Sequence, residues 1–448
     1  MLLGRRRGRD VMEPLQEPLV DADDDAVARS RVNVRAIQIF WFVTNVSRGI
    51  WQGQLLTVFL ASRVSDRMTD IGLIEGAQGI ARFASAVLAG VLADRLAGRR
   101  NVLLRGAAAF GIVVHAACGY LVLSPRSAGL APWYVLTSLY ACLVSVQAVV
   151  VESLFADSTP SGDRVRDYTT KRLCQQAGQL AGPMLQLLAI LGGTTKDVWS
   201  QHTTTELMLI GIGIGAASCV LMLSMDQRRT LDGASEANHL QPTDGEATVS
   251  EATARRVRYT IFIYDLLRVL AGGVAVKFIG VYFVKVHDLN PSQFLVLTFA
   301  AQAVMLLSVA AAGRLAARFP RERVCFGLLL AVDAGNFLLA LARGTWWQAA
   351  GWVSREGANA GIFGLKQTIL MDHCAKRDRG KWNSVDGLQS SFWSGSAMVG
   401  GWLIDNYGYR VNFLAMSCGF VAATLAWAAL LAPRPVEPEY AAAASEVV

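Results

Sequence analysis

Long apolar runs alternate with short polar joints along this chain. Runs such as "FASAVLAGVLA", "YVLTSLYACLVSVQAVVV" and "LMLIGIGIGAASCVLML" belong to stretches of about 20 residues, the length an α-helix needs to cross a bilayer. The pattern predicts helices over 35–62, 69–93, 101–123, 132–156, 172–191, 206–224, 259–286, 293–317, 323–342, 346–371, 383–404 and 411–432. The longest polar joint, 225–258, falls between the sixth and the seventh. It is rich in Asp, Glu, Gly, Ser and Thr, a composition that does not bury enough apolar surface to order itself.

Composition agrees with the pattern. Of 448 residues, 53% are hydrophobic and 17% charged, where soluble domains carry about a quarter charged residues. The chain reads as an all-α, multi-pass membrane protein. A net charge of +7 does not point to nucleic acid, because the basic residues sit in the joints. The start, "MLLGRRRGRDVMEPLQEPLV", follows its arginines with acids and prolines instead of an apolar core, so it is not a signal peptide. The first spanning helix is expected to direct insertion. Cys118, Cys142, Cys174, Cys219, Cys325, Cys374 and Cys418 share no CxxC spacing, and most lie inside apolar runs. They read as small packing residues, with neither a metal site nor a cofactor implied.

The joints orient the chain. Residues 94–105, 157–172, 225–258, 314–323 and 372–381 hold 21 Lys or Arg, against about seven in the opposite joints. Basic joints stay cytoplasmic, so both termini and the central loop are expected there. The expected layout is a tail (1–34), a six-helix bundle (35–224), a central loop (225–258), a second bundle (259–432) and a tail (433–448).

The halves repeat. "FVTNVSR" (42–48) matches "FIYDLLR" (262–268), "GVLADR" (90–95) matches "GRLAAR" (313–318), and "DSTPSGDR" (157–164) matches "DHCAKRDR" (372–379). The matches keep their order, and six helices separate the copies, so both halves share one orientation. Such parallel duplication is an architecture of secondary transporters.

These features carry a resemblance. The joint "GVLADRLAGRR" resembles the signature Gly-x-Leu-Ala-Asp-Arg-x-Gly-Arg-Arg of the major facilitator superfamily, through Gly90, Leu92, Ala93, Asp94, Arg95, Gly98, Arg99 and Arg100. It departs by one extra residue before Gly98. The second copy keeps Gly313 and Arg318 but has Ala317 where the first has Asp94. The stretch "DRGKWNSVDGLQSSFWSGSAMVGG" resembles a eukaryotic subgroup of that superfamily. The resemblance implies twelve helices in two pseudo-symmetric bundles, rocker-switch alternating access, and a central cavity lined by the first, fourth, seventh and tenth helices.

The motif has a physical reading of its own. Its glycines let helix ends approach closely, and Asp94 can pair with an arginine or sit at a helix N-terminus. Such contacts can form in one state and break in the other, as a latch. The plainer reading is a topogenic basic loop. Asp157, Arg164, Asp372 and Arg379 extend the same cytoplasmic network.

Twelve ionisable residues fall within the predicted spans: Arg48, Glu75, Arg82, Glu152, Asp265, Arg268, Lys277, Asp333, Arg355, Glu356, Lys366 and Asp386. A central charge costs about 2.5–3.5 kcal/mol on insertion scales, so pairing or function must account for each. On the helices that the resemblance places around the cavity, Arg48, Asp265, Arg268, Arg355 and Glu356 are the cavity candidates. Arg48 and Arg268 are equivalent by repeat and could clamp an anionic group, or Arg268 could pair with Asp265 one turn away. Arg355 and Glu356 are adjacent and are expected to face apart. Glu152 and Lys366 could be gate charges or snorkelling residues. Glu152, Asp265 and Glu356 are the carboxylates that could couple a proton.

"GQLAGP" (178–183) and Gly211-Ile-Gly213-Ile-Gly215 read as close packing. Trp41, Trp51, Tyr264, Trp352, Trp382 and Trp393 could stack on a solute, although most such aromatics pack. The expected function is secondary active or facilitative transport of a small polar solute, anionic if the arginines act together, by a monomer in contact with membrane lipid. A transporter-like receptor or scaffold without flux is the alternative. An intramembrane enzyme is disfavoured, since the chain lacks a His-x4-His, a Gly-x-Ser-x-Gly and a Walker loop.

Overall fold

The computed structural model describes residues 17–124, 129–160, 163–193, 196–231, 251–374 and 379–431. These are almost wholly helical. The helices are α1 (Glu17–Ser47), α2 (Gln54–Arg63), α3 (Met68–Arg95), α4 (Arg100–Leu123), α5 (Leu130–Ser158), α6 (Arg164–Leu191), α7 (Gln201–Leu221), α8 (Glu251–Ala275), α9 (Ile279–Lys285), α10 (Pro291–Ala316), α11 (Arg321–Leu341), α12 (Thr345–Asp372) and α13 (Arg379–Ala428). Eight helical stretches are long and apolar enough to cross a membrane. α1, α6 and α12 fall short on composition because charged and amide side chains interrupt their apolar runs.

Both the first and the seventh passes are broken along their length. α1 joins α2 through a π-turn, Arg48–Gln52, and α8 joins α9 through a 3-10 turn, Val276–Phe278. Such breaks free backbone groups and are concentrated at functional sites. α13 contains two passes. The chain reverses at Gly408, whose φ of 81° suits only a residue without a Cβ. Asn412 Nδ2 secures the reversal by donating to Gly400 O at 3.1 Å and Val274 O at 2.9 Å.

Several boundaries differ from the sequence expectation, among them the start of α6 at Arg164 instead of 172. α1 begins at Glu17, well before residue 35, because Ser30, Asn33 and Val34 are buried and Arg31 pairs with Asp163 and Asp167. The central joint is also shorter than 225–258. Residues 225–231 fold back on the first half, where Asn33 Nδ2 donates to Asp226 O and Asn101 Nδ2 to Asp226 Oδ1. Residues 251–258 belong to α8.

The two larger apolar clusters follow the halves, although Phe278, Val281 and Ile404 of the second half join the cluster of the first. Trp51, Phe59, Trp133 and Tyr140 centre one, and Tyr264, Phe283, Trp352 and Trp427 the other. Lipid chains are as apolar as these side chains, so close backbone approach must contribute to cohesion. α6 provides it: a Cβ at Gly178 would lie 2.4 Å from Phe42 O, and one at Gly182 would lie 2.8 Å from the Gly49 carbonyl carbon. Gly211 and Gly215 similarly abut Ile50 and His115.

The halves meet through α3 against α13 and α6 against α10. Among the described residues, the polar contacts that join them gather at the end away from the termini. Gln54 Nε2 donates to Val276 O at 3.2 Å, and Gly280 N donates to Gln54 Oε1 at 3.0 Å, so one side chain satisfies both ends of the break in the seventh pass. Lys285 Nζ donates to Ala61 O and Asp66 Oδ1, and Asp197 accepts from Ser292 N and Oγ. At the terminus-bearing end the described ion pairs stay within a half: Arg31–Asp163, Arg100–Asp157, Lys171–Glu152 and Arg258–Glu251. The molecule is therefore closed at the far end.

Candidate functional site

The π-turn carries Arg48 into the centre of the first half. Its guanidinium lies 5.7 Å from the Trp41 ring centroid. Nε and Nη2 are buried and have no hydrogen-bond partner. Arg82, midway along α3, also has a buried, unpartnered Nε. The two guanidiniums are close enough to repel each other. Both residues are half-buried, and at mid-membrane an arginine head faces protein or water, not hydrocarbon. Ser145 Oγ holds α3 locally by donating to Arg82 O at 2.9 Å.

One turn-pair away on α3, Glu75 is 5% exposed and pairs at 3.0 Å with Lys277, which sits in the 3-10 break of the opposite half. Glu75 is also near enough to attract Arg82. The carboxylate that could neutralise the arginines is thus held by a lysine across the interface.

The second half presents a different arrangement. Lys366 Nζ donates to both oxygens of Asp265, at 2.8 and 2.7 Å, with both side chains only 3% exposed. Arg268 Nε lies 3.7 Å from Asp265, and Arg268 Nη1 donates to Asn359 Oδ1 at 3.4 Å. A cavity of about 110 Å³ lies between these groups and Arg172 and Gln176 of α6. The Arg172 guanidinium sits 5.0 Å over the Phe363 ring, a contact between the halves on the terminus side of the cavity.

Of the two readings of Arg268, a clamp with Arg48 or a pair with Asp265, the described contacts show the pair. Arg48 is grouped with Arg82 of its own half, while Arg268 is engaged by Asp265 and Asn359. The expectation that Arg355 and Glu356 face apart is corrected. Their side chains pair with each other, because long side chains can curl around a helix to meet. Arg355 is 1% exposed, donates to Asn336 Oδ1 at 2.8 Å and lies 5.5 Å from Phe420, so it serves the contact of α12 with α11 and α13. Glu152 pairs with Lys171, whose ammonium also lies over Phe155 and Tyr168. Trp51, Tyr264 and Trp352 are buried in the cores, against Tyr140, Trp427 and Phe283 respectively.

In the motif, Arg100 pairs with Asp157, and its backbone N–H donates to Gln227 at 2.8 Å. Among the described residues, nothing lies within 4 Å of a Cβ built at Gly90 or Gly98. Arg95 and Arg99 are exposed. The side chains of Asp94, Arg164, Asp372, Arg379, Trp382 and Asp386 lie outside the described residues.

Arg82 and the Glu75–Lys277 pair were not among the cavity candidates, although the sequence held a signal. Glu75 and Arg82 are seven residues apart, on one face of an otherwise apolar helix. The reach of Lys277 across the interface had no such signal. Outside the spans, Asp66 is held below the ordinary carboxylate range by the hydrogen bond from Lys285 and by its charge. Asp226 is held down by the N–H of Arg228 and by Asn101. Among the described residues, no group of three His, Cys, Asp or Glu is placed to hold a metal.

Comparison with known proteins adds the family context. The profile of the Major Facilitator Superfamily matches residues 40–396 and 261–447. No curated protein matches the chain by sequence. Among solved structures, the chain is similar to the nucleoside transporter NupG (14% identity, 90% of this chain and 100% of that one, TM-score 0.65). It is similar to the inward-open xylose transporter XylE from E. coli (15%, 90% and 96%, TM-score 0.63). It is also similar to the human organic anion transporter MFSD10 (15%, 89% and 99%, TM-score 0.57). At these identities the likeness establishes the fold alone.

Proposed function

Since this chain belongs to the Major Facilitator Superfamily and so to a family of membrane transporters, we propose that it carries a small anionic solute by alternating access between its halves. The observation that carries the reading is Arg48 and Arg82, two guanidiniums midway along their passes with buried N–H groups that no atom of the described residues accepts. An unpaired buried donor costs roughly 1–3 kcal/mol, and more when charged. A carboxylate, sulfonate or phosphate oxygen would satisfy such groups, with charge-assisted bonds. The surroundings favour the same sign. With the Arg355–Glu356 pair set aside, the central ionisable groups are Arg48, Arg82, Arg268, Lys277 and Lys366 against Glu75, Asp265 and Asp333.

Transport rather than catalysis is the role proposed. With the termini in the cytoplasm, as the basic joints favour, closure at the far end supports reading this as the inward-facing state. The moving bodies are bundles 35–224 and 259–432. In the opposite state the motif residues Gly90, Asp94, Arg95, Gly98, Arg99 and Arg100, with Asp157, Arg164, Asp372 and Arg379, form the cytoplasmic latch. Asp265 is the carboxylate best placed to couple a proton, because protonation would release Lys366 and Arg268 together.

The test is uptake into proteoliposomes from a panel of anionic, neutral and cationic solutes, with Arg48→Gln and Arg82→Gln alongside. Anionic uptake that each variant abolishes supports the reading. Uptake confined to neutral or cationic solutes, unchanged in both variants, would sink it.

A further inference from the structure

A groove on the flank of the first half lies apart from the solute path. Its volume is about 570 Å³, and its lining comes from α1, α4 and the turn after α7, with no residue of the second half. The interface between halves uses α3, α6, α10 and α13, so the groove opens sideways, at the terminus-bearing end. Three arginines converge there from three elements: Arg35 of α1, Arg105 of α4 and Arg229 of the turn.

The sequence builds this convergence. Val32, Arg35, Ala36 and Ile39 line the groove at helical spacing, as do Asn101, Leu104 and Arg105. The turn is fixed against both helices, since Asn33 and Asn101 bind Asp226, and Gln227 N donates to Asn101 Oδ1 at 2.8 Å. Arg229 Nη1 donates to Ser224 O at 3.2 Å. Arg35 and Arg105 are exposed and make no hydrogen bond or ion pair with the described residues. The one acid in the lining, Asp226, is occupied by Asn101 and by the N–H of Arg228.

Depth along the membrane normal separates two chemistries. α1 runs inward from the termini, so Ile39 lies one turn deeper than Arg35. α7 runs outward, so Leu221 lies deeper than Arg229. The guanidiniums therefore stand at the level of the helix ends, and Ile39 and Leu223, each 54% exposed, offer apolar surface beside them. A free anion would use the arginines and leave that surface bare, whereas a lipid has a charged head and apolar chains in this order. Basic pockets of this kind between spanning helices take anionic head groups.

We propose that this groove binds an anionic phospholipid of the terminus-side leaflet, its phosphate held by Arg35, Arg105 and Arg229 and its chains lying along Ile39 and Leu223. The inference requires only that the chain lies in a bilayer, not that the solute is anionic.

The test is native mass spectrometry of the full-length protein in detergent with phosphatidylglycerol or phosphatidylcholine. Retention of phosphatidylglycerol over phosphatidylcholine is expected, and Arg35→Gln with Arg105→Gln should lower it about tenfold. Arg314→Gln with Arg318→Gln removes the same charge from the same end of the other half and should change little. Arg229→Gln gives a second, milder variant if the first pair fails to fold. Equal retention of both lipids would overturn the proposal, as would equal losses in the two double variants. Displacement of the lipid by millimolar inorganic phosphate would assign the arginines to a free anion and overturn it too.

Discussion

Asp405 caps a helix in the other half of the molecule: its Oδ2 accepts from Thr69 N at 2.8 Å and from Thr69 Oγ1 at 2.6 Å. Its Oδ1 accepts from Met68 N at 2.9 Å. The first N–H groups of α3 have no partner within their own helix, and a carboxylate there also meets the positive end of the helix dipole. The cap exists only while the far end is closed. Asp405→Ala should weaken closure by about 1 kcal/mol, the usual worth of a cap, and Asp405→Asn by less. Double electron–electron resonance between labels at the start of α3 and beside the Gly408 reversal of α13 would read this as a larger long-distance population. An unchanged distance distribution would remove Asp405 from the gate.

Glu75 and Lys277 should act in the same direction and more strongly. Removing one partner of a buried pair leaves a charge without compensation, at a cost on the order of 3 kcal/mol. Lys277→Gln or Glu75→Gln is therefore expected to shift the population away from far-end closure by at least about tenfold. The exchanged pair Glu75→Lys with Lys277→Glu should recover part of it. Accessibility of a cysteine engineered at position 78 to a membrane-impermeant thiol reagent checks both outcomes, and no gain in labelling would count against the pair as a latch.

Asp265 and Lys366 should report on stability before transport. Asp265→Asn strands the Lys366 ammonium at 3% exposure, and a loss of about 3 kcal/mol or more is expected. The double variant Asp265→Asn with Lys366→Met should be more stable than the single one. Thermal unfolding in detergent decides it. A single variant as stable as the parent would mean that the pair is not isolated from water.

The Lys285–Asp66 contact sets a pH expectation. Asp66 has its carboxyl held below its ordinary value of 3.8 by Lys285. A depressed carboxylate contributes fully above that ordinary value and is lost only as pH falls through the lower, folded one. Far-end closure should therefore not change through this contact between about pH 8 and pH 5. A shift of the same resonance distances within that range, abolished by Asp66→Asn, would contradict the assignment.

Much of this was legible in the chain. The apolar runs located the passes because a spanning helix must satisfy its backbone internally over a fixed thickness. The "GVLADRLAGRR" joint and the repeated "FVTNVSR" and "FIYDLLR" gave the family fold, and the basic joints gave an expected orientation. The glycines at 178, 182, 211 and 215 were read as packing positions, and a Cβ at each would meet a neighbouring helix or side chain. The charges at 48, 75, 82, 265, 268, 277 and 366 were each visible as costly residues in apolar surroundings.

The partners of those charges were decided by tertiary structure alone. Repeat symmetry pairs Arg48 with Arg268, yet Arg268 has Asp265 one turn away and Asn359 opposite, while Arg48 lies over Trp41 of its own helix. Adjacent helical residues point in different directions, yet Arg355 and Glu356 reach each other through their long side chains. Gln54 on Val276, Lys277 on Glu75 and Asp405 on Thr69 each join groups more than 200 residues apart. Periodicity fixes the face a residue occupies on its own helix. Which side chain meets it depends on how helices cross and on which end of the molecule is closed, and neither is a local property of the chain.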